Sequence, residues 1–406
     1  MNVLLICNKS PWPLKEGGPI AMHMVINGLM QAGHKVRVLA VNSYKYHVNV
    51  SDIPEKFRKE TGIELVEVDL RVKPLQAFFN LFTGRSYHVQ RFESAGFRDK
   101  LKEILDSCTF DIVQLETLYV CPYISTIRRH SKARVILRAH NIEHLIWERL
   151  AEETGNPLKK WYIRHLASTL KKYEHRVMTE VDGIAAITWK DADYFTNVLT
   201  SRGTVPSPVP VIDIPFGLDI KIYPLSESGT GHSGLFTIGS MNWMPNEEGV
   251  RWFLEKVWPD VHKQFPDLKY HLAGRAMPDW MKQLNLPNVE VLGEVEDAHD
   301  FIRSHAVMIV PLFSGSGIRI KIIEGMALGK TVISTSLGAE GINYINGQNI
   351  LIANAPCEFF DMITLCMEDP ARRRSIGLHA RHLIESEYDR DAITQRLISF
   401  YEQLRS

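Results

Sequence analysis

The 406-residue sequence has no apolar run approaching 18 residues, so nothing in it reads as a membrane-spanning helix. No basic leader precedes the short apolar run Val3 to Cys7, which argues against a secretory signal. Cysteine is scarce: five residues, at 7, 108, 121, 357 and 366, are scattered without a Cys-x-x-Cys pair. That pattern excludes a disulfide framework and a structural zinc and fits a reducing compartment. The expectation is a cytoplasmic protein, with at most a peripheral contact on the inner face of a membrane. An excess of either charge is also missing, since 47 basic residues face 47 acidic ones. With 45% hydrophobic and 23% charged residues, fibrous, disordered and low-complexity classes are excluded.

What is present is length enough for two domains, and a charge asymmetry between the halves. Residues 1–215 carry 29 basic and 23 acidic side chains, leaving 18 and 24 for the remainder. An anionic partner is therefore expected on the N-terminal half, and nucleic acid is not expected as a partner.

The chain opens with an apolar run, a loop with Pro11, Pro13, Gly17 and Gly18, then Met22, Val25, Ile26, Leu29 and Met30 at helical spacing, and a β-branched run from Lys35. Short runs recur at Ile63–Val68, Asp111–Leu115, Arg134–Leu137, Gly183–Ile187 and Val209–Ile214, between segments with helical spacing. Phe216 to Gly234, with Pro224 and a Ser/Gly-rich tail, reads as a linker. The cycle then restarts with Leu235–Ile238, a helix from about Asn246 to Lys263, and strands near 268–273, 289–292, 307–310 and 331–333. This alternation predicts an α/β protein of two tandem doubly wound parallel-sheet domains. Ligands of such sheets bind beyond the carboxyl ends of the strands, so two domains facing across a cleft are expected to line it.

Several motifs fail their context tests. Gly229, Gly231 and Gly234 match the dinucleotide fingerprint but precede a strand instead of following one. Gly325, Gly329, Lys330 and Thr331 resemble a phosphate loop one residue short, in helix-then-strand order. His140, Glu143 and His144 spell a zinc-hydrolase motif, but His140 lies past a strand end and off the following helix. Asp191 and Asp193 sit at a helix start, where the dipole favours acids for stability alone. No metal site is expected.

The segment from Val307 is different. A strand is followed by Pro311 to Gly317, with Ser314, Gly315, Ser316 and Gly317, and then by a helix from about Ile318 to Leu328. A glycine-rich turn and a helix N-terminus beyond a strand cradle phosphate through backbone N–H groups. Arg319 and Lys321 occupy the first turn, where cations oppose the dipole, and a bound anion accounts for them. Otherwise they are solvated. Glu324, three residues on, either pairs with Lys321 or accepts hydrogen bonds from sugar or ribose hydroxyls. Together these features describe a nucleotide-sugar site.

These residues carry a resemblance. The stretches FTIGSMNWMPNEEGVRWF, LAGRAMP, VLGEV, VPLFSGSGIRIKIIEGMALGKTVIST, GAEGI and NGQNILIA, with GGP at Gly17–Pro19, RAHNIEH at Arg138–His144 and IPFGLD at Ile214–Asp219, are similar to retaining GT-B glycosyltransferases of the group 1, glycogen-synthase-like type. The resemblance implies two Rossmann-like domains. Residues 1–215 would form the acceptor side, 216–234 the linker, 235–385 the donor side, and 386–406 a helix crossing back to the first domain.

It further implies transfer of a sugar from a UDP-, GDP- or other nucleoside-diphosphate sugar to a hydroxyl of a glycan or lipid-linked acceptor. Configuration would be retained, with no metal or other cofactor, in polysaccharide biosynthesis. Gly17 and Gly18 would let a loop approach the donor, and Gly239 and Ser240 would line it. Gly293, Glu294 and Val295 would meet the base, and Gly315, Ser316, Gly317 and Ile318 would offer N–H groups. Arg319 and Lys321 would neutralise the diphosphate. Glu324 would bind ribose or orient the sugar, and His140 would reach the transferring sugar. Arg138, Asn141 and Glu143 would lie on the acceptor side.

The sequence departs from the family pattern in having Ser316 at the first of two expected glutamates and neither Arg nor Lys in Ser240–Asn246. The cations are thus expected to have moved to Arg319 and Lys321. A sugar-nucleotide epimerase or hydrolase would use a similar cleft, as would a non-catalytic nucleotide-sugar-binding protein, which Ser316 favours. Finally, Pro74–Arg91 mixes Leu75, Phe78, Phe79, Leu81 and Phe82 with Lys73, Arg85 and Arg91, and Lys159–Arg176 is basic. Either is a membrane-facing surface or a buried helix.

Overall fold

A computed structural model describes residues 1–14, 17–201, 209–225, 232–315 and 318–405. The chain divides into two compact units, residues 1–217 with 391–406, and residues 218–390.

The first unit holds a seven-stranded sheet of β1 (Asn2–Cys7), β2 (Lys35–Asn42), β3 (Glu64–Glu67), β4 (Ile112–Glu116), β5 (Arg134–Ala139), β6 (Gly183–Ala186) and β7 (Val211–Asp213). The order is β3-β2-β1-β4-β5-β6-β7, with every pairing parallel. The apolar runs are continuous because both sheet faces are covered. Leu4 and Ile6 enter one core cluster, while Val3, Leu5 and Cys7 enter the other. The final helix, Arg390–Arg405, seals the second cluster with Ile393, Leu397, Phe400 and Tyr401.

The second unit has β8 (His232–Ile238), β9 (Tyr270–Ala273), β10 (Val289–Gly293), β11 (His305–Val310), β12 (Thr331–Ser334) and β13 (Leu351–Ile352). Its parallel order is β10-β9-β8-β11-β12-β13. Strand order reverses between β1 and β4 in one sheet and between β8 and β11 in the other, which opens a binding crevice at the carboxyl ends. The α/β class and the doubly wound parallel sheets expected from the sequence are both observed.

Three local expectations differ. The helix expected over 246–263 is two helices, Met244–Lys256 and Trp258–Gln264. Pro259 has no N–H and its ring clashes with a preceding helical carbonyl, so it sits at the start of a new helix. The expected linker is shorter at both ends. Leu218 bridges to Asp389, Asp219 caps the turn Ile220–Ile222, and Gly234 lies inside β8. Gly17 and Gly18, expected in a loop, form the first turn of helix Gly17–Gln31. Gly229 and Gly231 fall outside the described residues.

Candidate functional site

In the second unit the carboxyl ends of β8, β9, β10 and β11 converge. Gly239 follows β8 and Gly274 follows β9; the N–H of Gly274 donates to Gly293 O at 2.7 Å. Gly274 has φ +147°, and a Cβ there would lie 1.8 Å from Gly239 O, so only glycine allows these backbones to meet. Beyond β11, Gly315 turns at φ +92° against the Trp243 ring.

The helix after this turn runs Ile320–Ala327, later than expected, and Arg319 is its N-cap residue with extended backbone. Arg319 is buried, its guanidinium carbon 5.3 Å from the centre of the Trp243 ring. Lys321 is partly buried and donates to Asn246 Oδ1 at 2.7 Å, and Asn246 Nδ2 donates to Ser240 O at 2.9 Å. A Cβ on Gly239 would lie 3.5 Å from the Lys321 ammonium. Burial, assisted by the Arg319 charge, pushes the Lys321 ammonium down to about 7. Burial also lowers the Arg319 guanidinium, partly offset by Glu340. Two neighbouring cations held out of water form a site whose electrostatics improve when an anion enters.

Glu324 does not take Lys321 as its partner. Its Oε1 accepts from Tyr223 OH at 3.1 Å and lies 3.9 Å from His299 Nε2. The Glu324 carboxylate raises the His299 imidazole. Beside β10, Gly274, Ala276, Met277, Lys282, Val291, Leu292, Gly293 and Glu294 line a pocket of about 400 Å³. Gly293 and Glu294 are thus brought to this pocket, and Val295 follows them in the chain. Ser316 and Gly317 lie outside the described residues, while Gly315 and Ile318 flank them.

In the first unit His140 follows β5, and its Nε2 lies 2.7 Å from Glu116 Oε2 at the end of β4. Glu116 also accepts from Gln114 Nε2 at 2.6 Å and from Arg138 Nη1 at 3.3 Å. Burial alone would raise Glu116, but Arg138, His140 and Gln114 bring its carboxyl down to about 2. Burial lowers His140 despite this bond, and the Arg138 and Lys9 charges add to the effect.

Two residues expected on the acceptor side are corrected by burial. The Arg138 side chain is 1% exposed and serves as counter-ion to Glu116. Glu143 is buried and accepts from Tyr119 OH at 2.7 Å; burial, with Glu174 nearby, raises its carboxyl to about 7. Asn141, between them, is partly exposed. His144 lies in the helix Glu143–Glu153 and bonds Glu174 through Nδ1, so it turns away from a shared ligand with His140. Asp191 donates its N–H to Thr188 Oγ1 at 3.1 Å, an ordinary cap of helix Trp189–Ser201. Gly329, at φ +69°, turns the chain between helix Ile320–Ala327 and β12. Among the described residues no helix is long and apolar enough to cross a membrane.

Sequence reasoning missed Glu116, Gln114, Tyr223 and His299. The signal for the first two was present: Gln and Glu alternate with apolar residues in a central strand that is buried throughout.

Comparison with known proteins bears on the fold. Residues 232–369 match the family described as Glycosyl transferases group 1. An uncharacterised 44.6 kDa protein in the cps region of Klebsiella pneumoniae is 24% identical over 400 residues, 96% of each chain. Sucrose-phosphate synthase from Thermosynechococcus elongatus superposes with TM-score 0.69 at 15% identity, over 99% of this chain and 98% of that one. Anabaena HepE in complex with UDP gives TM-score 0.65 at 15% identity, over 99% and 100%. The chain therefore has the GT-B fold of paired Rossmann-like domains, and its residues 232–369 are similar to the group 1 glycosyl transferases.

Proposed function

We propose that the protein transfers a sugar from a nucleoside-diphosphate sugar to a hydroxyl of a glycan or lipid-linked acceptor, with retention at the anomeric carbon and without a metal. The observation that carries this reading is the pair Arg319 and Lys321, brought together with Gly239 at the strand ends beside a pocket of about 400 Å³. That pocket takes the base and ribose. The cations take the diphosphate, and Glu324 accepts from ribose or sugar hydroxyls. The UDP complex of HepE supports a nucleotide in this kind of fold.

Transfer breaks the bond from the anomeric carbon to the diphosphate oxygen, so negative charge grows on the leaving group. Fixed cations at low dielectric stabilise that charge more than they stabilise the bound donor. Arg319 is charged throughout, and Lys321 gains its proton as the anion arrives. With two cations supplied by the chain, charge neutralisation needs no divalent ion. The acceptor hydroxyl attacks on the face the leaving group departs, and passes its proton to the donor phosphate. His140 contacts the transferring sugar, and Glu324 orients it without becoming a nucleophile.

The acceptor is assigned to the first unit. Helix Pro74–Asn80 carries Leu75 and Phe79 at 77% and 64% exposure, and Phe82 follows at 78%. Beside them Arg71, Lys73 and Arg91 line a pocket of about 530 Å³. A polar pocket rimmed by exposed apolar side chains suits a glycan on a lipid carrier at a membrane surface, and polysaccharide assembly agrees with the cps-region relative.

Incubation with a panel of nucleotide sugars, with and without candidate glycans, tests the reading through release of UDP or GDP. Acceptor-dependent release is expected. Acceptor-independent turnover would identify an epimerase or hydrolase, and tight binding without turnover a non-catalytic protein.

A further inference from the structure

Glu116 and Gln114 are fully buried, on a strand whose other side chains are apolar, and the transfer reading gives them no contact with substrate. Buried polar groups are costly unless they are paired, and each of these two has partners. Here the network begins far away in sequence. Tyr401, in the helix Arg390–Arg405, is fully buried, and its hydroxyl donates to Gln114 Oε1. That bond orients the amide so that Nε2 faces Glu116 Oε1 at 2.6 Å. Arg138 Nη1 and His140 Nε2 both approach the other oxygen, Oε2, at 3.3 and 2.7 Å.

The chemistry of this chain settles where the His140 proton lies. An ionised carboxylate only accepts, and Glu116 is ionised at any pH in use, held down to about 2. The ring nitrogen facing it must therefore carry hydrogen. Burial and the charges of Arg138 and Lys9 disfavour a second proton on the ring. A neutral imidazole protonated on Nε2 has its lone pair on Nδ1, and none of the described residues bonds that atom.

We propose that Glu116 is a positioning residue, held by Gln114 and through it by Tyr401, that fixes His140 in the Nε2-protonated tautomer so that Nδ1 is offered to a substrate hydroxyl as acceptor. The catalytic meaning rests on the transfer reading above. The tautomer does not. The arrangement selects for a sugar bearing a free hydroxyl at the position His140 meets, because an ether or deoxy carbon there leaves Nδ1 unpaired.

The test uses the full chain labelled with ¹⁵N-histidine, in which long-range ¹H–¹⁵N correlation separates the two neutral tautomers and the cation. The His140 signal is assigned by its loss in H140Q. At pH 7 the wild-type ring should carry its proton on Nε2. In E116Q the amide can donate as well as accept, so the Nδ1-protonated form should appear. Y401F, which keeps the ring and deletes one hydroxyl, should give a smaller shift of the same sign.

With an active donor and acceptor pair, E116Q should lower kcat by roughly 10- to 100-fold, the scale of losing an orienting partner, with the donor KM within about threefold. Y401F should lower kcat by less, in the order of its tautomer shift. A wild-type ring protonated on Nδ1, or doubly protonated at pH 7, would overturn the proposal, as would unchanged tautomers in both variants. If E116Q does not fold, the wild-type and Y401F spectra decide alone. If no nucleotide sugar is turned over but the spectra behave as described, the positioning inference stands and only the transfer reading fails.

Discussion

Raising the pH across the Lys321 titration should weaken nucleoside-diphosphate binding in a way that isolates this side chain. In the empty site the ammonium loses its proton near pH 7, because it is buried and Arg319 stands beside it. A diphosphate supplies the missing counter-charge and lifts that value toward the ordinary lysine range. Affinity is therefore full where the free site is already protonated, below pH 7, and declines above it. The slope approaches tenfold per pH unit, and between pH 7 and 9 the loss is about fiftyfold.

The ligand's own phosphate also titrates, near pH 6, but it does so equally for every variant. Lys321→Arg keeps the charge and removes the titration in this range, so its affinity should be flat where the parent falls. Calorimetric titration with UDP and with GDP, in two buffers of different ionisation enthalpy, reads both quantities. At pH 8 the parent should take up about one proton on binding, and Lys321→Arg almost none. Parallel pH profiles for the two proteins, or no proton uptake by the parent, would refute the buried diphosphate-binding lysine.

Arg319→Ala should lower turnover by about 2–4 kcal/mol of transition-state stabilisation, the scale of one lost charge-stabilising contact, measured as kcat/KM for nucleotide release. Gly274→Ala drives a methyl group into Gly239 O on a left-handed backbone; a loss of roughly 2–4 kcal/mol is expected, visible as a lowered thermal midpoint. His88 is buried, stacked on Trp147 at 3.9 Å, and burial pushes its imidazole down to about 4. The unfolded chain binds the extra proton between that value and about 6.5, so its contribution is full above pH 6.5 and lost as pH falls toward 4. His88→Phe should flatten denaturant stability over that window by up to about 3 kcal/mol, and an unchanged acid slope would contradict the assignment.

Much of the scaffold was legible because doubly covered parallel strands leave an unmistakable trace. Runs such as Val3–Cys7 and Val307–Val310 cannot be half-exposed, and each is followed by residues at helical spacing. The grouping of Arg319 and Lys321 after a glycine turn was legible because glycines and cations that follow a strand are local in sequence. What was not legible depends on partners brought from afar. Gln114 and Tyr401 are 287 residues apart, and nothing in either neighbourhood names the other. Arg138 was placed on the acceptor side by the resemblance of its motif alone; Glu116, from the adjacent strand, accounts for its burial. The spacing of Glu324 and Lys321 allowed them to pair, as one of two alternatives, yet Tyr223 and Asn246 offered each a better-placed partner.

The helix Arg390–Arg405 joins the core cluster that holds Ile26, Leu29 and Ile214, and Gly183 gives it room: a Cβ there would lie 2.8 Å from Phe400 and Leu404. Order of synthesis therefore runs against order of completion. The whole second unit leaves the ribosome before the piece that closes the first, an interval of about 10–35 s at ordinary translation rates. Through that interval the nascent first unit presents an apolar face with its cover still unmade. A stop codon at about residue 390 would make that condition permanent, turning a loss confined to the last helix into a failure of the unit that begins the chain.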